Sequence, residues 1–269
     1  GLRTDRGVDR GRRTVGALVE DQALRPVADG RRHPVAGGVG DGRPDHAAAK
    51  TLRAHAIQIN EGQAALTLGQ NAGDGTLAPL MAGGRLDLIN DDTAATLTVN
   101  ATLSDNGAAS SLAKSGAGNV LLRGATALTG PIAIANGTLT FGGHGVPQTV
   151  NGVISGTGAL AKTGSSLLHL LAANTYTGPT YINQGVVRVN QGNAFGTTAG
   201  GVFIADGATL DVGCSADVGG TRTKDQLNMQ GEPITVQGAG VGGLGAILNS
   251  SAESQYNAVG KVTLAGDTV

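Results

Sequence analysis

The chain has 269 residues and a formal net charge of −1, with 46 Gly, three Phe, three Tyr and no Trp. So few rings exclude a core built on aromatic side chains and leave Val, Ile, Leu and Ala to bury the apolar area. The one cysteine, Cys214, excludes an intrachain disulfide; with no basic residue or His beside it, it reads as a small buried apolar residue rather than a reactive thiol.

Residues 1–55 differ in composition from everything that follows. They hold 11 Lys and Arg against 7 acids, a net of +4, whereas residues 56–269 hold 8 against 13, a net of −5. No apolar period runs through the first stretch, which is rich in Gly, Arg, Asp and Pro. It reads as a disordered, solvated tail or as a stretch foreign to the protein. Its arginines would suit a polyanion, but interspersed acids and the lack of rings for stacking bases argue against nucleic acid. Asp41, Asp45 and His46 lie in this stretch and make no credible metal site.

From Ile57 the pattern changes to alternation. Ile57 and Ile59, Leu66 and Leu68, Leu86 and Leu88, and Leu97 and Val99 come first. Val120 and Leu122, Ile132 and Ile134, and Leu139 and Phe141 follow, then Leu168 and Leu170, Val187 and Val189, and Val202 and Ile204. Leu210 and Val212, Ile234 and Val236, and Val262 and Leu264 complete the series. These are short period-two runs parted by Gly, Asn, Asp and Ser, which predicts an all-β chain. Ile59-Asn-Glu-Gly62, Ile134-Ala-Asn-Gly137, Ile182-Asn-Gln-Gly185 and Ile204-Ala-Asp-Gly207 share an Ile-x-x-Gly corner, its glycine free to take positive φ. A hairpin meander would want Asn-Gly or Asp-Gly at each site, and Gln184-Gly185 does not fit that turn.

The chain also repeats at a fixed offset of 48 residues. Leu112-Ala-Lys-Ser-Gly116 returns as Leu160-Ala-Lys-Thr-Gly164, and Thr129-Gly-Pro131 returns as Thr177-Gly-Pro179. A fixed period of this kind favours a β-solenoid, in which each unit buries its apolar face on its neighbours. The expectation is that the two Lys-led units lie one upon the other as successive coils, Ile134 and Ile182 sharing one inward column.

Three motifs point toward chemistry and fall short of it. Gly238, Gly240 and Gly243 match G-x-G-x-x-G after a strand, but no helix or crossover unit follows to hold a dinucleotide. Asp91-Asp92 and Gly143-His144-Gly145 are similar to features of β-helical pectin hydrolases, yet the companion motifs are missing, so a solvated acid pair and a turn histidine are expected. His169 stands at outward parity between Leu168 and Leu170 and reads as a surface histidine; Asp74 and Asp206 read as single turn acids. No catalytic, cofactor-binding or metal-ligating residue is assigned.

The two copies resemble the autotransporter passenger-associated β-strand repeat, K-x-G-x-G-x-L-x-L-x-G-x-N-x-Y-x-G-x-T-x-I-x-x-G-x-L, over 112–143 and 160–191. The second keeps Asn174, Tyr176, Gly178 and Thr180; the first has Thr126, Leu128, Gly130 and Ile132 there. The resemblance implies a right-handed single-stranded parallel β-helix over 56–269. It implies a non-enzymatic stalk or passenger segment on the outer-membrane surface of a bacterium or released outside it, from a parent with a C-terminal barrel or anchor. An adhesin module for extracellular glycans or cell surfaces is the alternative, and a polysaccharide hydrolase or lyase a more distant one. No run of 18 apolar residues exists to cross a membrane as a helix. The chain begins at Gly1 without a leader and stops at Val269 inside an alternating run, and so reads as a fragment.

Overall fold

The computed structural model describes residues 50–143, 145–213, 227–251, 255 and 258–268. The strands follow one another around three faces. The first coils contain β1 (Thr51–Ala54), β2 (Ala56–Ile59) and β3 (Leu66–Leu68), then β4 (Thr76–Pro79), β5 (Arg85–Asn90) and β6 (Thr96–Val99). Next come β7 (Thr102–Ser104), β8 (Ser111–Ser115) and β9 (Asn119–Leu122), then β10 (Thr126–Ala127), β11 (Ile132–Ile134) and β12 (Thr138–Phe141). A fifth trio is β13 (Gln148–Val150), β14 (Ile154–Gly156) and β15 (Ala159–Lys162). Beyond it, strands fall on two faces: β16 (Leu167–Leu170), β17 (Thr180–Ile182), β18 (Gly185–Val189), β19 (Val202–Ile204), β20 (Ala208–Asp211), β21 (Met229–Gly238), β22 (Ile247–Leu248) and β23 (Val259–Thr268).

Every strand pairing among the described residues is parallel. The first face is β1-β4-β7-β10, continued by β13-β16-β18-β20-β22 where β10 adjoins β13. The second is β2-β5-β8-β11-β14, and the third stacks nine strands, β3-β6-β9-β12-β15-β17-β19-β21-β23. On the second face the backbone goes on without an assigned strand: the Thr175 and Thr177 amides donate to the Ile154 and Gly156 carbonyls, and the Thr197 amide to Tyr176. This is the all-β chain that the alternation predicts, wound into the β-solenoid that the 48-residue period favours.

Register explains the core. On the third face Leu66, Leu97, Val120, Leu139, Leu160, Thr180, Val202, Ile234 and Val262 are successive partners. Beside them runs Leu68, Val99, Leu122, Phe141, Lys162, Ile182, Ile204, Val236 and Leu264. Strands stack about 4.8 Å apart, so like side chains meet along the axis. Each fully buried Leu or Ile contributes about 2 kcal/mol of transfer free energy.

The relation between the two repeats differs from expectation. Ile134 lies on the second face and Ile182 on the third. Lys114 partners Ile134, which partners Gly156, so two coils along its own face carry the chain from 114 to 156. Six more residues pass the next corner and reach Lys162 on the third face. A coil here takes 20 to 22 residues, so 48 residues make two coils and one further face. The successive coils that stack are the two halves within each copy, Lys114 on Ile134 and Lys162 on Ile182.

The solenoid also begins earlier than composition suggests. Strand β1 lies within the stretch read as a tail and pairs with β4, burying Ala54. Its four residues, Thr-Leu-Arg-Ala, carry too short an alternation to register beside so many charges. Residues 1–49, with Asp41, Asp45 and His46, lie outside the described residues, as do His144 and Cys214.

Candidate functional site

Two lysines are the most unusual side chains in the core. Lys114 and Lys162 stand at inward positions, 0% and 1% exposed. The Lys114 Nζ donates to the carbonyls of Ser115 (2.9 Å), Gly116 (2.6 Å) and Asn136 (3.0 Å). The Lys162 Nζ donates to Thr163 (2.6 Å), Gly164 (2.6 Å) and, one coil on, Gln184 (3.2 Å). Each ammonium therefore ties a corner to the corner above it. Burial pulls both down to about 8; at Lys114 the charge of Asp91 opposes the shift. The glycines of the next corner, Gly137 and Gly185, sit at φ +64° and +78° against these ammonium groups. A Cβ at either would crowd Nζ as well as strain the backbone. The lysine and the Ile-x-x-Gly corner are thus one device, a lid of carbonyls closed by a cation.

The remaining repeat residues are also turned inward. Asn174 accepts from the Ile154 amide (2.7 Å) and donates to the Ala194 carbonyl (2.5 Å), bridging coils on either side. The buried Tyr176 hydroxyl meets Thr180 Oγ1 at 2.6 Å, and burial raises the phenol above its ordinary value. In the first copy Leu128 and Ile132 occupy the equivalent places, so the polar pair is replaced as a pair by an apolar one.

The acids read as turn residues divide. Asp91 is exposed, but Asp92 is buried and accepts from the amides of Ala94, Ala95 and Gly62. The expectation of a solvated pair is corrected for Asp92, whose carboxyl those bonds hold below the usual carboxylate range. Asp74 accepts from the Gln70 and Asn71 amides and Asp206 is an exposed turn residue. Gly238, Gly240 and Gly243 all have positive φ, and only a 3-10 turn, Val241–Gly243, forms beside them. On the first face His169, Arg188 and Asp211 are partners in register, Asp211 being buried. His169 Nε2 lies 2.9 Å from Asn190 Oδ1, and Arg188 Nε donates to Asp211 Oδ2 at 2.7 Å. Burial pushes the Asp211 carboxyl up, but bonds from Ser250, Arg188 and Gly213 outweigh it and hold it low. Among the described residues no three of His, Cys, Asp and Glu gather as metal ligands would, and no helix is long and apolar enough to cross a membrane.

One surface feature escaped the sequence reading. Tyr181 and Phe203 are cross-strand partners on the outside of the third face, exposed by 37% and 41%. Their rings stack with centroids 5.4 Å apart. Leu121, Thr140 and Ala161 precede them in the same outward column, and Thr235 and Thr263 follow. Two of the chain's six rings thus meet at the surface, in a column that otherwise holds Leu121 and the smaller Thr and Ala. Parity alone would have placed them there.

The family model described as the Passenger-associated-transport-repeat matches residues 112–141 and 160–189, the two units whose lysine corners are set out above. Curated relatives include the Adhesin BmaC autotransporter of Brucella suis biovar 1 (strain 1330), 34% identical over 94 residues. Another is the Extracellular serine protease of Serratia marcescens, 44% identical over 57 residues. The first alignment covers 35% of this chain and 3% of the adhesin; the second covers 21% of this chain and 5% of the protease. The chain thus spans a small fraction of either relative. No solved structure matches it.

Proposed function

With two passenger-associated-transport repeats in a continuous parallel stack, we propose that the chain is a non-enzymatic rod segment of a large autotransporter-type passenger, working outside the bacterial cell. Its parent carries the barrel or anchor that delivers and holds it. The observation that carries this reading is the fate of the repeat's polar residues. Lys162, Asn174, Tyr176 and Thr180 all bond to their own or adjoining coils. A repeat whose polar groups are used in joining coils propagates a shaft rather than a reaction centre. The test is to delete residues 138–158 from the parent, one coil in register between the partners Thr138 and Ala159. Export and surface protease resistance should persist. The purified chain, given casein and a panel of polysaccharides, should release neither peptides nor reducing ends; release of either overturns the reading.

An adhesive role is the second reading, favoured by the exposed Tyr181–Phe203 stack and by the relative named as an adhesin. Solvent-facing rings at a regular strand spacing suit contact with glycans or with another cell surface. Binding of purified chain to host cells and to a glycan array, lost in a Tyr181→Ser, Phe203→Ser double variant, tests it.

A further inference from the structure

An open cleft of about 450 Å³ lies between the turn at 191–198 and the start of β21. Its polar lining comes from Gln191, Asn193, Thr198, Asn228 and Glu232. Glu232 is only 5% exposed, and among the described residues its Oε1 has no hydrogen-bond partner. A buried carboxyl oxygen left in this way costs stability, and such an exception asks for a reason. The β21–β23 ladder slips register between Met229 and Pro233, so Glu232 stands at an irregularity in the strand. Irregularities of this kind re-aim side chains beside binding sites.

The chemistry of the lining narrows the occupant. Among the described residues no Lys, Arg or His lines the cleft, so from these side chains phosphate, sulfate and uronate would meet a carboxyl without a counter-charge. An apolar ligand would strand the amides and the hydroxyl. Burial raises the Glu232 carboxyl to about 7, so near neutrality it both accepts and donates. Neutral amides, a hydroxyl and such a carboxyl match vicinal ring hydroxyls, and the volume falls in the range of small-ligand clefts.

We propose that this cleft binds a neutral sugar residue of a glycan, its hydroxyls pairing with the Glu232 carboxyl and with the Gln191, Asn193 and Thr198 side chains. The proposal extends the adhesive reading, and its failure leaves that reading standing, because adhesion through the Tyr181–Phe203 face survives Glu232→Ala. The test is saturation-transfer NMR on the full 269-residue chain. Probes are the methyl glycosides of glucose, galactose, mannose and N-acetylglucosamine, with methyl glucuronide and agmatine as charged controls. At least one neutral glycoside binds in preference to both controls. Glu232→Ala weakens it by about tenfold or more, and Glu232→Gln, which keeps an accepting oxygen, by less. Neither variant melts below the parent chain, since each removes a buried carboxyl whose Oε1 has no partner among the described residues. The proposal fails if no neutral glycoside binds, if a charged control binds better, if Glu232→Ala binds as the parent does, or if Glu232→Gln lowers the melting temperature.

Discussion

The Lys162 ammonium lies 3.2 Å from the Gln184 carbonyl, and that single bond spans two coils of the stack. The same lysine closes its own corner through Thr163 and Gly164. Removing it strands three carbonyls around a buried space. Lys162→Met keeps the bulk and loses the donors, so it should lower stability by about 2 kcal/mol, read from urea unfolding.

The lysines also set a pH dependence. Their folded pKa is about 8 against an ordinary 10.5. Between those values the unfolded chain holds protons that the folded chain has shed, so stability rises with pH across the window. Urea midpoints should increase from pH 8 to pH 10, and Lys114→Met with Lys162→Met should remove most of that increase.

Glu232 acts in a lower window with the opposite slope. Its carboxyl goes from an ordinary 4.5 to about 7 on folding. The folded chain therefore keeps a proton that the unfolded chain has lost, and stability falls as pH rises from 4.5 to 7. Glu232→Gln should flatten that fall in midpoints measured across the same range.

The corner glycine is the counterpart of the lysine. Gly185→Ala forces an L side chain into φ +78° and sets its Cβ 2.9 Å from Lys162 Nζ. A loss of about 2 kcal/mol or more is expected from backbone strain and crowding together. Gly207→Ala, with φ +73° but open space around it, should cost less; melting of the pair separates the two contributions.

Tyr176 and Thr180 should behave as one unit. Tyr176→Phe leaves the Thr180 hydroxyl buried without its partner, and Thr180→Val does the reverse; each should cost about 1 kcal/mol. The double variant should cost less than the sum, since the first repeat already holds Leu128 and Ile132 in these places.

How much of this was legible in the chain depends on what geometry writes into the order of residues. Alternation marks strands because side chains switch sides at every residue, and Ile-x-x-Gly marks corners because φ at Gly62, Gly137, Gly185 and Gly207 is positive. The stacking of the repeats was not legible. A 48-residue offset does not state how many residues make a coil; that needed the pairing of Lys114 with Ile134. Lys114 and Lys162 stood at inward parity all along, two places after Leu112 and Leu160, but a charge is read as surface until its carbonyls are seen. Asp92 was hidden for a related reason: it adjoins Asp91 in one turn, and only the fold brings the Gly62 amide to it from 30 residues away. Glu232 carries no local signal, since its cleft is assembled from a turn some 40 residues upstream.

The offset between the repeats has an outcome for any longer array built the same way. Each copy is turned by one side of the triangular shaft relative to the last, like steps on a spiral stair. Three copies complete the circuit, so whatever a copy shows to solvent is spread around the whole girth instead of along one flank. A surface of that kind meets its surroundings alike from every direction.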